Sequence, residues 1–266
     1  MSDYSVQNIF FSCSEVTYRS EEQFVPDHGL AHIYSGEIRV ADADRTYAFT
    51  AGQTTLFSRN RLAKVTKHAS ADGPFRMVTI LFKQDFLSGY YTAHPALAVR
   101  GQARDVLVLG KSPLLESLFQ SLLPYEGLTT ALPAELVELK LSEAMTIVRS
   151  IDATADAILS DFSEPGKIDL ADFMHRNYSF NIGLERFAYL TGRSLATFKR
   201  DFQKVFQTSP QKWLLERRLQ QAHFLIAEKK VRPSEAYAEV GFENLSHFSF
   251  AFKQQFGYNA SQLLSH

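Results

Sequence analysis

Leu195-Ala-Thr-Phe198-Lys-Arg-Asp-Phe202-Gln-Lys-Val-Phe206 and Leu245-Ser-His-Phe248-Ser-Phe-Ala-Phe252-Lys-Gln-Gln-Phe256 are one apolar pattern written twice, fifty positions apart. The register extends to both sides: Ala188 matches Ala238, Leu190 matches Val240, and Leu214 matches Leu264. Apolar residues at steps of three and four share one helical face. Each copy begins with a shorter apolar segment that ends at a glycine, Gly192 or Gly241. Two short helices joined by a glycine-bearing turn make a helix-turn-helix, whose second helix fits the DNA major groove. One hairpin alone would be weak evidence, because any helical hairpin has a turn glycine and an apolar stripe. A register-matched pair predicts a module that reads two successive grooves of duplex DNA.

Facing follows from the same spacing. In the first copy Leu195, Phe198, Phe202 and Val205 are expected inside. Ala196, Thr197, Lys199, Arg200 and Gln203 are left for DNA. Arg200 or Lys199 suits guanine O6 and N7, and Thr197 a thymine methyl or a phosphate. In the second copy Leu245, Phe248, Phe252 and Phe256 are expected inside, with Ser246, His247, Ser249, Phe250 and Lys253 outside. The second surface carries less charge, so it should supply mostly phosphate and apolar contacts. Ser194, Ser209 before Pro210, and Asn244 are helix caps. The helix opened by Ser209-Pro210 is expected to bury Leu215, Leu219, Ala222 and Ile226 and to join the two hairpins. Its Arg217 and Arg218 suit either phosphate or acids inside the module. A leading helix is expected over 167–178.

Charge divides the chain. Residues 167–266 hold 14 Lys and Arg against 9 Asp and Glu, whereas 1–166 hold 14 against 20, in a chain of net charge −1. A basic segment joined to an acidic one fits a phosphate-binding module fused to a domain with another task. The 266 residues suffice for two cores, and no apolar run approaches the ~20 residues that span a bilayer. With no evident secretory signal and a single cysteine, Cys13, a cytoplasmic setting is expected, with no membrane partner.

Leu195-x-x-Phe198-Lys199-Arg200-x-Phe202, then Ser209-Pro210 with Trp213 and Arg217-Arg218, then Val240-Gly241-Phe242-x-Asn244 with Phe248, Phe252-Lys253 and Phe256-Gly257, resemble the DNA-binding module of the AraC/XylS family of transcription regulators. The resemblance covers about residues 167–266. It implies base-edge contacts at Ala196, Lys199 and Arg200 and at Ser246, Ser249 and Phe250, and it implies RNA polymerase as a partner. Gln207 stands where the family has glycine, and Ala260 where it has proline.

Short strands broken by glycine turns over 24–82 predict a small barrel or sandwich. His32-x-Tyr34-Ser35-Gly36-Glu37 followed by Ala51-Gly52 resembles the cupin-like effector domain of the same family. Helices are expected at about 113–123 and 133–150. The stripe Val137, Leu141, Ala144 and Val148 serves either a homodimer or cover for the barrel. The fold class expected is α+β: a cupin-like N-terminal barrel with helices over 1–160, a linker at 161–166, and an all-α double helix-turn-helix over 167–266.

Cupins also include metalloenzymes. The candidate ligands are His28, His32, Glu37 and His68. On one strand His28 and His32 would stand about 13 Å apart, too far for a shared ion, and the His-x-His pair is absent. No metal, cofactor or enzyme activity is therefore expected. A small molecule inside the barrel would meet His32, Tyr34, Tyr47 and Phe49, which could equally fill a core. A regulatory protein is the alternative partner. The whole chain is expected to be a signal-responsive, sequence-specific DNA-binding transcription regulator.

Overall fold

The computed structural model describes residues 2–19, 24–97, 105–128 and 132–264. The chain divides into two compact units, Met1–Ser163 and Glu164–His266.

The first unit is built on antiparallel strands β1 (Ser2–Val6), β2 (Ile9–Ser14), β3 (Tyr18–Arg19), β4 (Phe24–Val25), β5 (His28–Ser35), β6 (Glu37–Ala41), β7 (Thr46–Thr50), β8 (Thr54–Phe57), β9 (Arg61–Leu62), β10 (Lys64–His68), β11 (Phe75–Phe82) and β12 (Val106–Leu109). They pair as a six-stranded sheet in the order β1-β2-β11-β5-β8-β12, a four-stranded sheet β3-β10-β6-β7, and a ribbon β4-β9. Among the described residues no pairing closes these sheets into one barrel; they are layered.

Alternation along β5 shows the layers. Ala31 and Ile33 join Ile38, Val40, Phe49, Phe75 and Met77 in one core drawn from both larger sheets. Leu30 points the other way, with Leu56, Val78 and Ile80, into a core closed by helices. These are α1 (Gln84–Ala93), α2 (Pro113–Leu122), α3 (Ala134–Ile151) and α4 (Ala155–Leu159). Val137, Leu141, Ala144 and Val148 of α3 are buried in that core. The stripe that could have served a dimer is thus occupied within the chain, because the six-stranded sheet is apolar on both faces and needs a cover. At the end of this unit Arg59 donates from Nη2 to Ser163 O at 2.8 Å and from Nε to Asp161 O at 3.4 Å, tying down residues read as linker.

The second unit is all helical: α5 (Leu170–Asn177), α6 (Leu184–Leu190), α7 (Leu195–Phe206), α8 (Pro210–Ala227), α9 (Pro233–Glu239) and α10 (Leu245–Phe256), with a 3-10 helix at Ala260–Leu264. Asp169 caps α5 by accepting from Asp172 N at 2.6 Å, so the leading helix starts three residues later than the sequence suggests. No described helix is long and apolar enough to cross a membrane.

Candidate nucleic-acid interface

The two hairpins are α6–α7 and α9–α10. Their second helices are built alike. Ser194 Oγ accepts from Thr197 N at the start of α7, and Asn244 Oδ1 accepts from His247 N at 2.8 Å at the start of α10. Each cap supplies a partner for an otherwise orphaned amide. Phe198 and Phe202 are fully buried in the first hairpin, as are Phe248 and Phe252 in the second. Each helix ends on a residue in the left-handed region: Gln207 at φ 56° and Gly257 at φ 84°. Gln207 holds this costly conformation with its side-chain Nε2 donating to Lys204 O at 2.9 Å.

The outward faces match the expected set. Ala196, Lys199, Arg200 and Gln203 are exposed and Thr197 is half-buried beside its cap. Ser246, His247, Ser249, Phe250 and Lys253 are all exposed, with Phe250 69% accessible. Three residues expected inside are not. Val205, Leu215 and Leu245 are exposed. On α7 the inward arc is filled by phenylalanines, so Val205, at ~140° from Arg200 on the helical wheel, falls at its edge. On α8 the buried residue is Leu214 rather than Leu215, followed by Leu219, Ala222, Leu225 and Ile226.

Arg218 is held inside the module by backbone carbonyls, a partner that neither alternative for it named. Its Nε donates to Tyr178 O at 2.8 Å, Nη1 to Gly241 O at 2.9 Å, and Nη2 to Phe180 O at 2.8 Å. It is an internal staple between α8, the loop after α5 and the turn of the second hairpin. Its partners are carbonyls rather than acids, so burial lowers its pKa to about 10. Arg217 lies over the Tyr178 ring at 5.1 Å. Alpha8 runs 18 residues, about 27 Å, between the hairpins.

Sequence reasoning missed a second cluster. Asp201 accepts from Arg193 Nε at 3.2 Å, and its carboxylate also lies 3.7 Å from Lys167 Nζ and 3.8 Å from Arg200 Nε. The hydrogen bond from Arg193 is the main reason that its pKa is lowered. Residues 167, 193 and 201 have no common period, so no pattern in the sequence announces them.

In the first unit the four proposed ligand contacts fall into two pairs rather than one site. His32 and Tyr34 face the helices: His32 Nδ1 is 2.9 Å from Thr54 Oγ1, its ring stacks on Phe119 at 4.6 Å, and Tyr34 Oη donates to Phe119 O at 2.6 Å. Tyr47 and Phe49 stack at 6.2 Å on β7, where Phe49 packs edge-on to Phe57 in the core between the sheets. His32 and Tyr34 alternate with Ala31 and Ile33, which take the face of β5 turned to the core that holds Phe49, so the two pairs separate. His28, Glu37 and His68 have separate partners in Arg59 N, Arg39 and Thr17. Among the described residues no three His, Cys, Asp or Glu side chains form a metal-binding group.

Two family models match the chain. One, a helix-turn-helix domain, covers residues 187–266, and the other, the ExsA N-terminal regulatory domain, covers residues 28–155. The virulence regulon transcriptional activator VirF of Yersinia enterocolitica is 26% identical over 241 residues, 88% of each chain. The HTH-type transcriptional regulator ExsA of Pseudomonas aeruginosa is 26% identical over 243 residues, 89% of this chain and 85% of that one. The thermoregulatory protein LcrF of Yersinia pestis is 26% identical over 242 residues, 88% of each chain. A crystal structure of apo ToxT from Vibrio cholerae aligns over 97% of both chains at 15% identity and a TM-score of 0.47. With its ExsA-type regulatory domain followed by paired helix-turn-helix units, the chain belongs to the AraC/XylS family and is a sequence-specific DNA-binding transcription regulator.

Proposed function

We propose that α7 and α10 each enter a major-groove segment of one operator, with Ala196, Thr197, Lys199, Arg200 and Gln203 contacting DNA from the first and Ser246, His247, Ser249, Phe250 and Lys253 from the second. The observation that carries this reading is the equivalence of the two helices: each starts on a side-chain cap, buries two phenylalanines and leaves exposed the matched positions 196 and 246, 199 and 249, 200 and 250, and 203 and 253. Arg200 and Lys199 supply guanine readout. Phe250 stands where Arg200 stands in the first copy and presses on a thymine methyl.

The first unit passes a signal to the second. Its input is a small molecule or a regulatory protein; His32–Tyr34 and Tyr47–Phe49 would serve separate contacts because they face different layers. Homodimerisation, contact with RNA polymerase, a role as activator and a cytoplasmic setting complete the proposal, supported by the relatives' names for the activator role. The chain carries no enzymatic step in this reading, since His28, His32, Glu37 and His68 each serve a different local partner.

Selection of bound fragments from random duplex DNA, followed by footprinting, tests the reading. Protection over two neighbouring major-groove segments is expected. Arg200→Ala should then cost about 1–3 kcal/mol at one base pair and little elsewhere. A selection that enriches no sequence would end this proposal.

A further inference from the structure

A residue outside both hairpins stands beside the first recognition helix. Lys167 precedes α5, and three contacts hold it there. The backbone of Gly166 and Lys167 occupies the space that a side chain on Gly192 would need: a Cβ there would lie 2.5 Å from Lys167 N. Arg193 Nη1 donates to Ile168 O at 3.1 Å. The Lys167 ammonium then reaches within 3.7 Å of Asp201 Oδ2.

Asp201 lies next to Arg200, so Lys167 and Arg200 flank one carboxylate, and each is 66% exposed. Asp201 is already hydrogen-bonded by Arg193, whose side chain is almost wholly covered. Three cations thus share one anion, and this flank of α7 keeps a surplus of positive charge. Beyond the pair lies a depression of about 370 Å³ whose walls include Ile168, Asp169, Lys204 and Val205. Asp169 is a second carboxylate there, and Lys167, Arg193, Arg200 and Lys204 still outnumber the two acids. Ile168 and Val205 are the exposed aliphatics there. At 100° per residue, Lys204 lies about 40° from Arg200, between the depression and the groove-facing side.

We infer that Lys167 and Lys204 clamp the sugar–phosphate strand bordering the groove that α7 enters, phosphates meeting the ammonium groups and deoxyribose faces resting on Ile168 and Val205. This rests on the DNA reading above. An exposed lysine–carboxylate pair is worth little in water, so Lys167 can turn from Asp201 to a phosphate at small cost. Phosphate contacts fix register and orientation without reading sequence. An acidic protein segment would also suit the charge, but the depression lies on the flank of the helix that presents Lys199 and Arg200, which favours DNA.

The test is equilibrium binding of the full chain, across a range of salt, to its selected duplex and to an unrelated one. Lys167→Ala should weaken both by a similar factor, roughly eightfold near 0.1 M salt, and make the salt slope shallower by about 0.9. Lys167→Arg should restore most of the loss, and Lys204→Ala with Lys167→Ala should change the slope by about twice as much. Unchanged slopes in both variants overturn the clamp, as does a loss confined to one sequence. Normal DNA binding by Lys167→Ala with lost promoter activation overturns it in favour of an acidic protein partner. If the unsubstituted chain binds no duplex at any salt, the DNA reading fails first and the clamp with it.

Discussion

His28 is 2% exposed on β5, with Nδ1 accepting from Arg59 N at 3.2 Å. Burial, helped by the Arg59 charge and opposed by Asp161, lowers its pKa from 6.5 to about 4. The folded chain therefore refuses a proton that the unfolded chain accepts. Between pH 6.5 and about 4 the unfolded state binds more protons, so stability falls as pH drops through that window. Above 6.5 and below about 4 the contribution is flat. The full loss is on the order of 3 kcal/mol at 1.36 kcal/mol per unit. Thermal unfolding of the first unit should show this decline. His28→Asn, which keeps an acceptor for Arg59 N and removes the titration, should reduce the slope. Burial lowers the pKa of His32 as well, so a residual slope is expected from it. A pH profile identical in His28→Asn would mean that His28 is not the titrating group.

At the scale of elements, the hairpin turns decide whether the recognition helices are presented at all. Gly192 sits at φ 64°, with Gly166 and Lys167 against it. Gly241 sits at φ 96°, where a Cβ would meet Ser179 O at 2.7 Å. Gly257, after α10, has φ 84° but open space around it. Alanine at Gly257 should therefore cost only the left-handed backbone, about 1–2 kcal/mol. Gly192→Ala and Gly241→Ala should each cost clearly more, since they must also displace backbone. Denaturant midpoints of the second unit give the order, and equal losses at all three glycines would refute the close-approach argument. Gln207, left-handed without being glycine, shows that the turn after α7 tolerates a side chain where nothing crowds it.

For the whole molecule, legibility in the sequence tracks periodicity. Phe198, Phe202, Phe248 and Phe252 recur at a helical step, so α7, α10 and their outward faces could be read directly. Val205 lies at the edge of an arc whose centre phenylalanines fill, whereas Leu215 and Leu245 fall within the apolar arcs of their helices and are exposed all the same, which spacing alone does not show. Strand β5 is buried along most of its length on both faces, so it gives no clean alternation, and His32 and Tyr34 could not be assigned a layer before the sheets were known. The Lys167–Arg193–Asp201 cluster is assembled by tertiary packing and has no local signal. Division into two units, each with its own buried residues, carries a thermodynamic consequence. A ligand that binds only the folded form of one unit stabilises that unit by mass action. Duplex operator at 100 times its Kd should add about 2.7 kcal/mol to residues 164–266, while acid should weaken 1–163, where both histidines of lowered pKa reside. Calorimetry of the full chain should then show two transitions, one raised by operator DNA and insensitive to His28→Asn, the other lowered between pH 6.5 and 5 and relieved by that substitution. An effector that changes operator affinity must break this separation. By reciprocity, operator must change the effector's affinity by the same factor, so its addition should move the transition that operator alone leaves in place. A single transition shifted equally by acid and by operator in the absence of effector would refute the two-unit account.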